Sequence, residues 1–292
     1  MQLISALLSG FGIGSMYGVV ALGFYITYSV SGTMNFAQGS SVMLGAVLCY
    51  TFAQTLGLPM AASIALALLL CAVYGLAVEV LAVRPFASRG SNAWLMSTVA
   101  LGIVVDNLVM HTFGKEPRSL PSPLAAAPIQ IGGLGLGVYP LQLLIPAVGL
   151  AMATALHAVS RRTRWGTALL AVVQNRDAAQ LMGIPIRRAI AASFALSACL
   201  AGVAGILIAP LFNVSAEMGT LFGIKAFAVA ILGGITSAWG VMIAGLLFGI
   251  AEASISTFLG SGYTEIITFA LVIGLLALRP DGLLGVAGVR KV

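Results

Sequence analysis

Apolar positions along this chain come in long unbroken runs, with no alternation of apolar and polar residues at period two. A run of about 20 residues is what an α-helix needs to cross a bilayer. Backbone in lipid must satisfy its own hydrogen bonds, so with the strand period absent only helices remain as spanning elements. The pattern predicts spans near 5–30, 36–56, 60–83, 92–113, 139–159, 190–211, 239–258 and 262–278. A shorter apolar segment at 224–236 either crosses or is re-entrant. The expected fold is therefore all-α, a polytopic transmembrane bundle of about eight helices with room for a broken or re-entrant one. It forms a single domain over 1–292.

Composition sharpens this picture. Hydrophobic residues make up 60% of the chain and charged residues 8%, against roughly 25% charged in soluble domains, so a large soluble fold is excluded. The first charged side chain is Glu79, and the 78 residues before it have room for three spans. The N-terminus lacks a basic region and a small-residue cleavage site, so it is read as a first span and not a removable signal. The 35 glycines suggest close helix packing and interrupted helices. Cys49, Cys71 and Cys199 lie inside apolar runs without metal-ligand spacing, as packing thiols do.

The net charge of +6 is not spread evenly. Eleven of the fourteen basic residues fall in three clusters: Arg84 with Arg89, six arginines in RRTRWGTALLAVVQNRDAAQLMGIPIRR at 161–188, and Arg279, Arg290 and Lys291. All sit beside span ends, where the positive-inside bias places them, so they are no signal for nucleic acid. Putting the clusters on the cytoplasmic side places the N-terminus and the loop 114–138 outside and requires an even number of crossings between Arg188 and Arg279. Pro117, Pro121, Pro123, Pro128 and the run GGLGLG exclude a long helix from that external loop.

Within the loop 160–189, Gln174 to Met182 has the marks of a short helix. Asn175 is an N-cap, Asp177 lies in the first turn, Gly183 closes the end and Pro185 prevents continuation. Ala178, Leu181 and Met182 share one face. About nine residues make a marginal helix that needs a surface to pack on: lipid headgroups, the protein's own membrane domain, or a cytoplasmic partner. A second interruption, GTMNFAQGSS at 32–41, reads either as a loop just outside the bilayer or as non-helical backbone at membrane depth, which must be buried in protein or line a wet cavity; the substrate-path candidates there are Asn35, Phe36, Gln38 and Gly39.

Charges inside spans are the default functional candidates. Here they are Asp106, Lys225 and Glu252, with Glu265 near a span end. Lys225 and Glu252 are expected to pair, because opposite charges in low dielectric need each other. Glu79 is expected to be interfacial, with Arg84 just over a turn away. Nothing suggests catalysis. His111 and His157 stand alone, no HExxH, GxSxG or paired-carboxylate spacing occurs, and none of the three lysines sits in a G-x-x-x-x-G-K-[ST] loop. The chain is expected to be no enzyme and to hold no metal or cofactor of its own.

The stretch AVVQNRDAAQLMGIPIRRAIAASFALSACLAGVAG resembles the coupling loop and following helix of LivH-type permeases, the membrane subunits of bacterial ATP-binding-cassette importers for branched-chain amino acids. TYSVSGTMNFAQGSSVMLGA, EVLAVRPFASR, AILGGITSAWGVMIAGLLFGIAEA and LRPDGLLG resemble the same family in the same order. Two departures stand out: Gln38 where His is common, and no proline near Ala238-Trp239. The first bears on substrate identity. The resemblance implies a multi-pass protein of the bacterial cytoplasmic membrane with four kinds of company: a second, related permease in a heterodimer, two cytoplasmic ATPases that bind the ATP and magnesium, an external or periplasmic substrate-binding protein, and lipid. Asn175, Arg176, Asp177, Ala178, Leu181, Met182 and Gly183 would then couple the ATPases to the path. Other classes left open are an ion-gradient carrier with Asp106 or Glu252 as titrating group, and a non-transporting membrane scaffold.

Overall fold

The computed structural model describes residues 2–87, 89–126, 128–131, 136–280 and 282–284. Arg290 and Lys291 of the basic tail and residues 132–135 of GGLGLG lie outside them. The elements in order are α1 (Gln2–Ser31), α2 (Gln38–Tyr50), α3 (Met60–Ala77), α4 (Arg84–Ala87), α5 (Trp94–Phe113), α6 (Pro123–Ala126), β1 (Ile129–Ile131), β2 (Leu136–Val138), α7 (Pro140–Arg162), α8 (Arg164–Gln174), α9 (Arg176–Leu181), α10 (Ile186–Ile208), α11 (Met218–Gly233), α12 (Ala238–Leu259) and α13 (Ser261–Leu278). β1 and β2 form one small antiparallel hairpin in the proline-rich loop, with Gln130 opposite Gly137.

Among the described residues seven helices are long and apolar enough to cross a membrane: Ala6–Ser31, Met60–Ala87, Trp94–Phe113, Pro140–Arg162, Ile186–Ile208, Ala238–Leu259 and Ser261–Leu278. The expected span at 36–56 starts two residues later, and its helix widens into a π-helical turn at Thr51–Thr55. Its first turn is polar, with Gln38, Ser40 and Ser41, which is why it falls short of the other spans in apolarity. The expected short segment at 224–236 is part of a longer helix, the 16-residue α11. At 1.5 Å per residue such a helix is about 24 Å long, somewhat less than a bilayer core of about 30 Å.

Contacts divide the chain into two compact units, one of Met1–Tyr25, Ser122–Ala153 and Lys225–Val292, the other of Ile26–Pro121 and Thr154–Ile224. In the second unit α2, α3 and α10 pack with their backbones in touch. A Cβ on Gly45 would overlap the carbonyl of Gly202, one on Gly205 that of Val42, and one on Gly75 that of Phe194. Around these contacts lie small side chains of α10, among them Ser197, Ala198, Ala201 and Ala204, all buried. Without a hydrophobic drive between helices in lipid, this close van der Waals contact is what holds spans together. The first unit uses the same device between α1 and α12, where Gly10, Gly14 and Gly18 face Gly245, Gly249 and neighbouring backbone.

A second π-helical turn at Val78–Val83 joins α3 to α4. It explains the Glu79–Arg84 pair. Residues five apart lie about 140° apart around an α-helix, and the wider π turn brings them together. Arg84 Nε and Nη2 donate to the two carboxylate oxygens of Glu79 at 3.0 and 2.6 Å, the bidentate geometry of strong guanidinium pairs. Glu79 is buried while Arg84 remains partly exposed.

Candidate functional site

The basic loop folds as two helices, where the sequence suggested one. Thr163 caps α8, its Oγ1 accepting from Gly166 N at 3.0 Å. The chain then turns extended at Asn175, whose Oδ1 accepts from Ala178 N at 3.0 Å and starts α9. Gly183, at φ +82, closes it, a left-handed conformation that favours glycine. The helix at Gln174–Met182 therefore exists in shortened form, with the cap and stop that the residues indicated.

Its orientation follows from one alanine. Ala179 is buried and packs with Val30, Leu169, Val172 and Ala189, which joins α9 to the end of α1, to α8 and to the start of α10. Ala178 and Asp177 point the other way, and Leu181 and Met182 are 88% and 83% exposed. Two large apolar side chains presented so fully on a fixed helix are an unusual arrangement for a chain with no partner. Arg176 is bound back to the membrane helices. Its Nη2 donates to Val30 O at 2.7 Å, satisfying a carbonyl in the last turn of α1. Loss of the cap has a measurable consequence. Asn175→Ala is expected to cost about 1 kcal/mol of local stability, seen as faster amide exchange across 176–182 with the transmembrane helices unchanged.

The interruption at 32–41 is bound inward. Asn35 and Gln38 are fully buried. Asn35 Oδ1 accepts from Ala37 N at 3.0 Å and Asn35 Nδ2 donates to Gln38 Oε1 at 3.3 Å. Gln38 Nε2 donates to Ser197 O at 3.1 Å, and Ser197 Oγ returns a bond to Gln38 Oε1 at 2.9 Å. Gly39 lies against the backbone of Gly219 and Gly223 in α11. Of the four residues read from sequence as path-lining, only Phe36 is partly exposed. The amide of Gln38 is engaged with Ser197 of α10, which braces α2 against that helix. Ser197, its partner, carried no signal in the sequence beyond being a polar residue in an apolar run.

Lys225 and Glu252 do meet. Lys225 Nζ donates to Glu252 Oε1 at 2.6 Å, with side chains 10% and 13% exposed. Glu265 stands 3.7 Å from the same ammonium and is more open. Tyr17 of α1 is hydrogen-bonded to Glu252 as well. The cluster ties α1, α11, α12 and α13 together within the first unit. It is short of one positive charge, and Glu252 Oε2 is buried without a partner. Asp106 belongs to the second unit. It lies in α5, beside the Ser40 hydroxyl, and its Oδ1 is buried with no hydrogen-bond partner among the described residues.

Comparison with known proteins agrees with this architecture. The family described as the permease component of branched-chain amino acid transport systems matches residues 6–276. The chain is 32% identical to the high-affinity branched-chain amino acid transport system permease protein LivH of Escherichia coli K12, over 304 aligned residues covering 100% of this chain and 98% of that one. It is also 32% identical to the corresponding permease protein BraD of Pseudomonas aeruginosa over 302 residues, 99% and 98% of the two chains. Among solved structures, PsaBC from Streptococcus pneumoniae in complex with Fab shares the fold, with a TM-score of 0.51 at 13% identity over 94% of this chain and 91% of that one. With seven membrane-capable helices and a match from end to end, this chain belongs to the permease-component family of branched-chain amino acid transport systems.

Proposed function

We propose that the chain forms half of the membrane channel of an ATP-binding-cassette importer that carries branched-chain amino acids, or a related small amino acid or amide, into the cytoplasm. Its company is a second permease, two ATPases on the cytoplasmic face and a substrate-binding protein on the outer face. ATP and magnesium belong to the ATPases. The substrate class rests on the names of full-length relatives.

The observation that carries the coupling role is the exposed apolar tip of α9. Leu181 and Met182 stand clear of the protein while Ala179 and Asn175 hold the helix rigidly beneath them. In this reading the tip enters a groove on an ATPase. Asp177, Ala178 and Gly183 shape its rim, and Arg176 passes its movement to the end of α1. The positive-inside bias of the basic residues flanking α8 and α9 supports a cytoplasmic position for this face. With the N-terminus outside, α11 crosses as a short span, which gives the even number of crossings needed between Arg188 and Arg279.

The test is purification of the tagged chain from native membranes in gentle detergent, followed by reconstitution in proteoliposomes. Two ATPase polypeptides and a second permease are expected to stay bound. Uptake of labelled leucine is expected to need ATP and the external binding protein. A chain that purifies alone, or one whose transport is driven by an ion gradient without ATP, overturns the proposal.

A further inference from the structure

The second half of α5 carries a polar ridge that the bundle leaves uncovered. The buried side of this helix is formed by Thr98, Gly102, Val109 and Phe113. It rests on the 32–41 segment, where Phe36 N donates to Thr98 Oγ1 and Ser40 Oγ to Gly102 O, each at 3.4 Å. Asn107 and His111, four apart on the other side of the helix, are exposed. Among the described residues each is bound to its own helix backbone, Asn107 Nδ2 donating to Ile103 O at 2.8 Å and His111 Nδ1 lying 2.9 Å from Asn107 O. Asn107 Oδ1 and His111 Nε2 are thereby left facing outward. Asp106 lies on the flank between the buried side and this ridge. It forms no ion pair among the described residues, and its Oδ1 has no hydrogen bond.

A carboxylate, an amide and an imidazole in succession are costly against hydrocarbon, and spans that carry such groups turn them to a bundle interior or a wet cavity. Ser40 hydrogen-bonds the Asp106 carboxylate, but with one oxygen unpartnered it still lacks a counter-charge. None of the described residues pairs with it, whereas an amino acid in transit brings a cation, since its α-ammonium must be matched if it is to leave bulk water. One carboxylate with two neutral neighbours is suited to passing a zwitterion and not to trapping it, which conduction requires. Resting on the reading of the chain as an amino acid permease, we propose that Asp106, Asn107 and His111 line the translocation path, with the Asp106 carboxylate receiving the α-ammonium group of the passing amino acid.

Asn107→Cys and His111→Cys, in the complete importer in lipid nanodiscs, are to be labelled with a charged methanethiosulfonate reagent, the unsubstituted chain serving as blank for Cys49, Cys71 and Cys199. Because it is the hydrated thiolate that attacks the reagent's sulfur and expels methanesulfinate, both positions are expected to react roughly tenfold faster than Leu108→Cys on the apolar flank. Saturating leucine with binding protein and ATP is expected to slow them. Asp106→Asn is expected to raise the KM for leucine by about tenfold with little change in maximal rate, as loss of a ground-state contact does, with partial rescue in Asp106→Glu. Absence of labelling at both positions overturns the ridge as a path, as does disulfide cross-linking of both to the second permease without reagent access. An unchanged KM in Asp106→Asn removes the ammonium contact. If the unsubstituted importer takes up no leucine at all, the amino acid reading fails, while labelling still reports whether the ridge is wet.

Discussion

Replacing Leu181 and Met182 together with glutamate is expected to abolish ATP-driven uptake while the chain still inserts and folds. The two side chains are almost wholly exposed, so their loss removes no packing from the membrane domain. What it removes is the apolar tip of α9 that a partner groove would bury. Fully buried anchors at protein interfaces are worth about 2 kcal/mol or more each. Two lost anchors, with two carboxylates left to desolvate, amount to at least about 4 kcal/mol, or roughly a thousandfold in affinity. The measurement is uptake in proteoliposomes together with retention of ATPase on the tagged chain. The expected result is unaltered yield and elution of the permease, loss of bound ATPase, and transport at background. Normal transport by the double variant removes α9 from the coupling path. The paired control is Leu169→Glu, in the buried cluster beneath α9, which is expected to damage folding as well.

Much of this was legible from hydrophobic pattern. Spans are set by length and apolarity, both local properties, and their positions along the chain follow almost directly. The α9 cap and stop were legible for the same reason, since Asn175 and Gly183 act within a few residues of themselves. Polar residues whose work is done across the bundle were not. The sequence left Asn35 and Gln38 open between a loop, a buried segment and a wet path, and only the position of Ser197, 159 residues from Gln38, shows that amide engaged inside the protein. Nor did the sequence show that Arg176 reaches back to Val30 at the end of α1, 146 residues away. The two π turns left no pattern in the sequence, although the five-residue spacing of Glu79 and Arg84 was a hint of one. The glycine seam was available and was read too coarsely. Gly10, Gly14 and Gly18 recur every fourth residue on α1, as do Gly245 and Gly249 on α12, and that spacing marks faces that touch.

Lys225→Met is expected to cost about 3–5 kcal/mol, because it leaves Glu252 charged and buried with no counterion. Glu265, 3.7 Å from the lost ammonium, loses its partner too, so the cluster goes from one excess negative charge to two in a low-dielectric site. The reverse change, Glu252→Gln, is expected to be milder, since Lys225 keeps Glu265 within reach. In the double variant Lys225→Met/Glu252→Gln most of the loss is expected to return, giving a coupling energy between the sites that neighbours in one network show and distant residues do not. The readout is the fraction of chain recovered as a single species in mild detergent and its apparent Tm, followed by transport. A Lys225→Met chain as stable as the parent would mean that the pair does not hold α11 to α12. Recovery of stability in the double variant without recovery of transport would give the cluster a second task, contact with the cargo. Recovery of both would confine it to holding α1, α11, α12 and α13 in place.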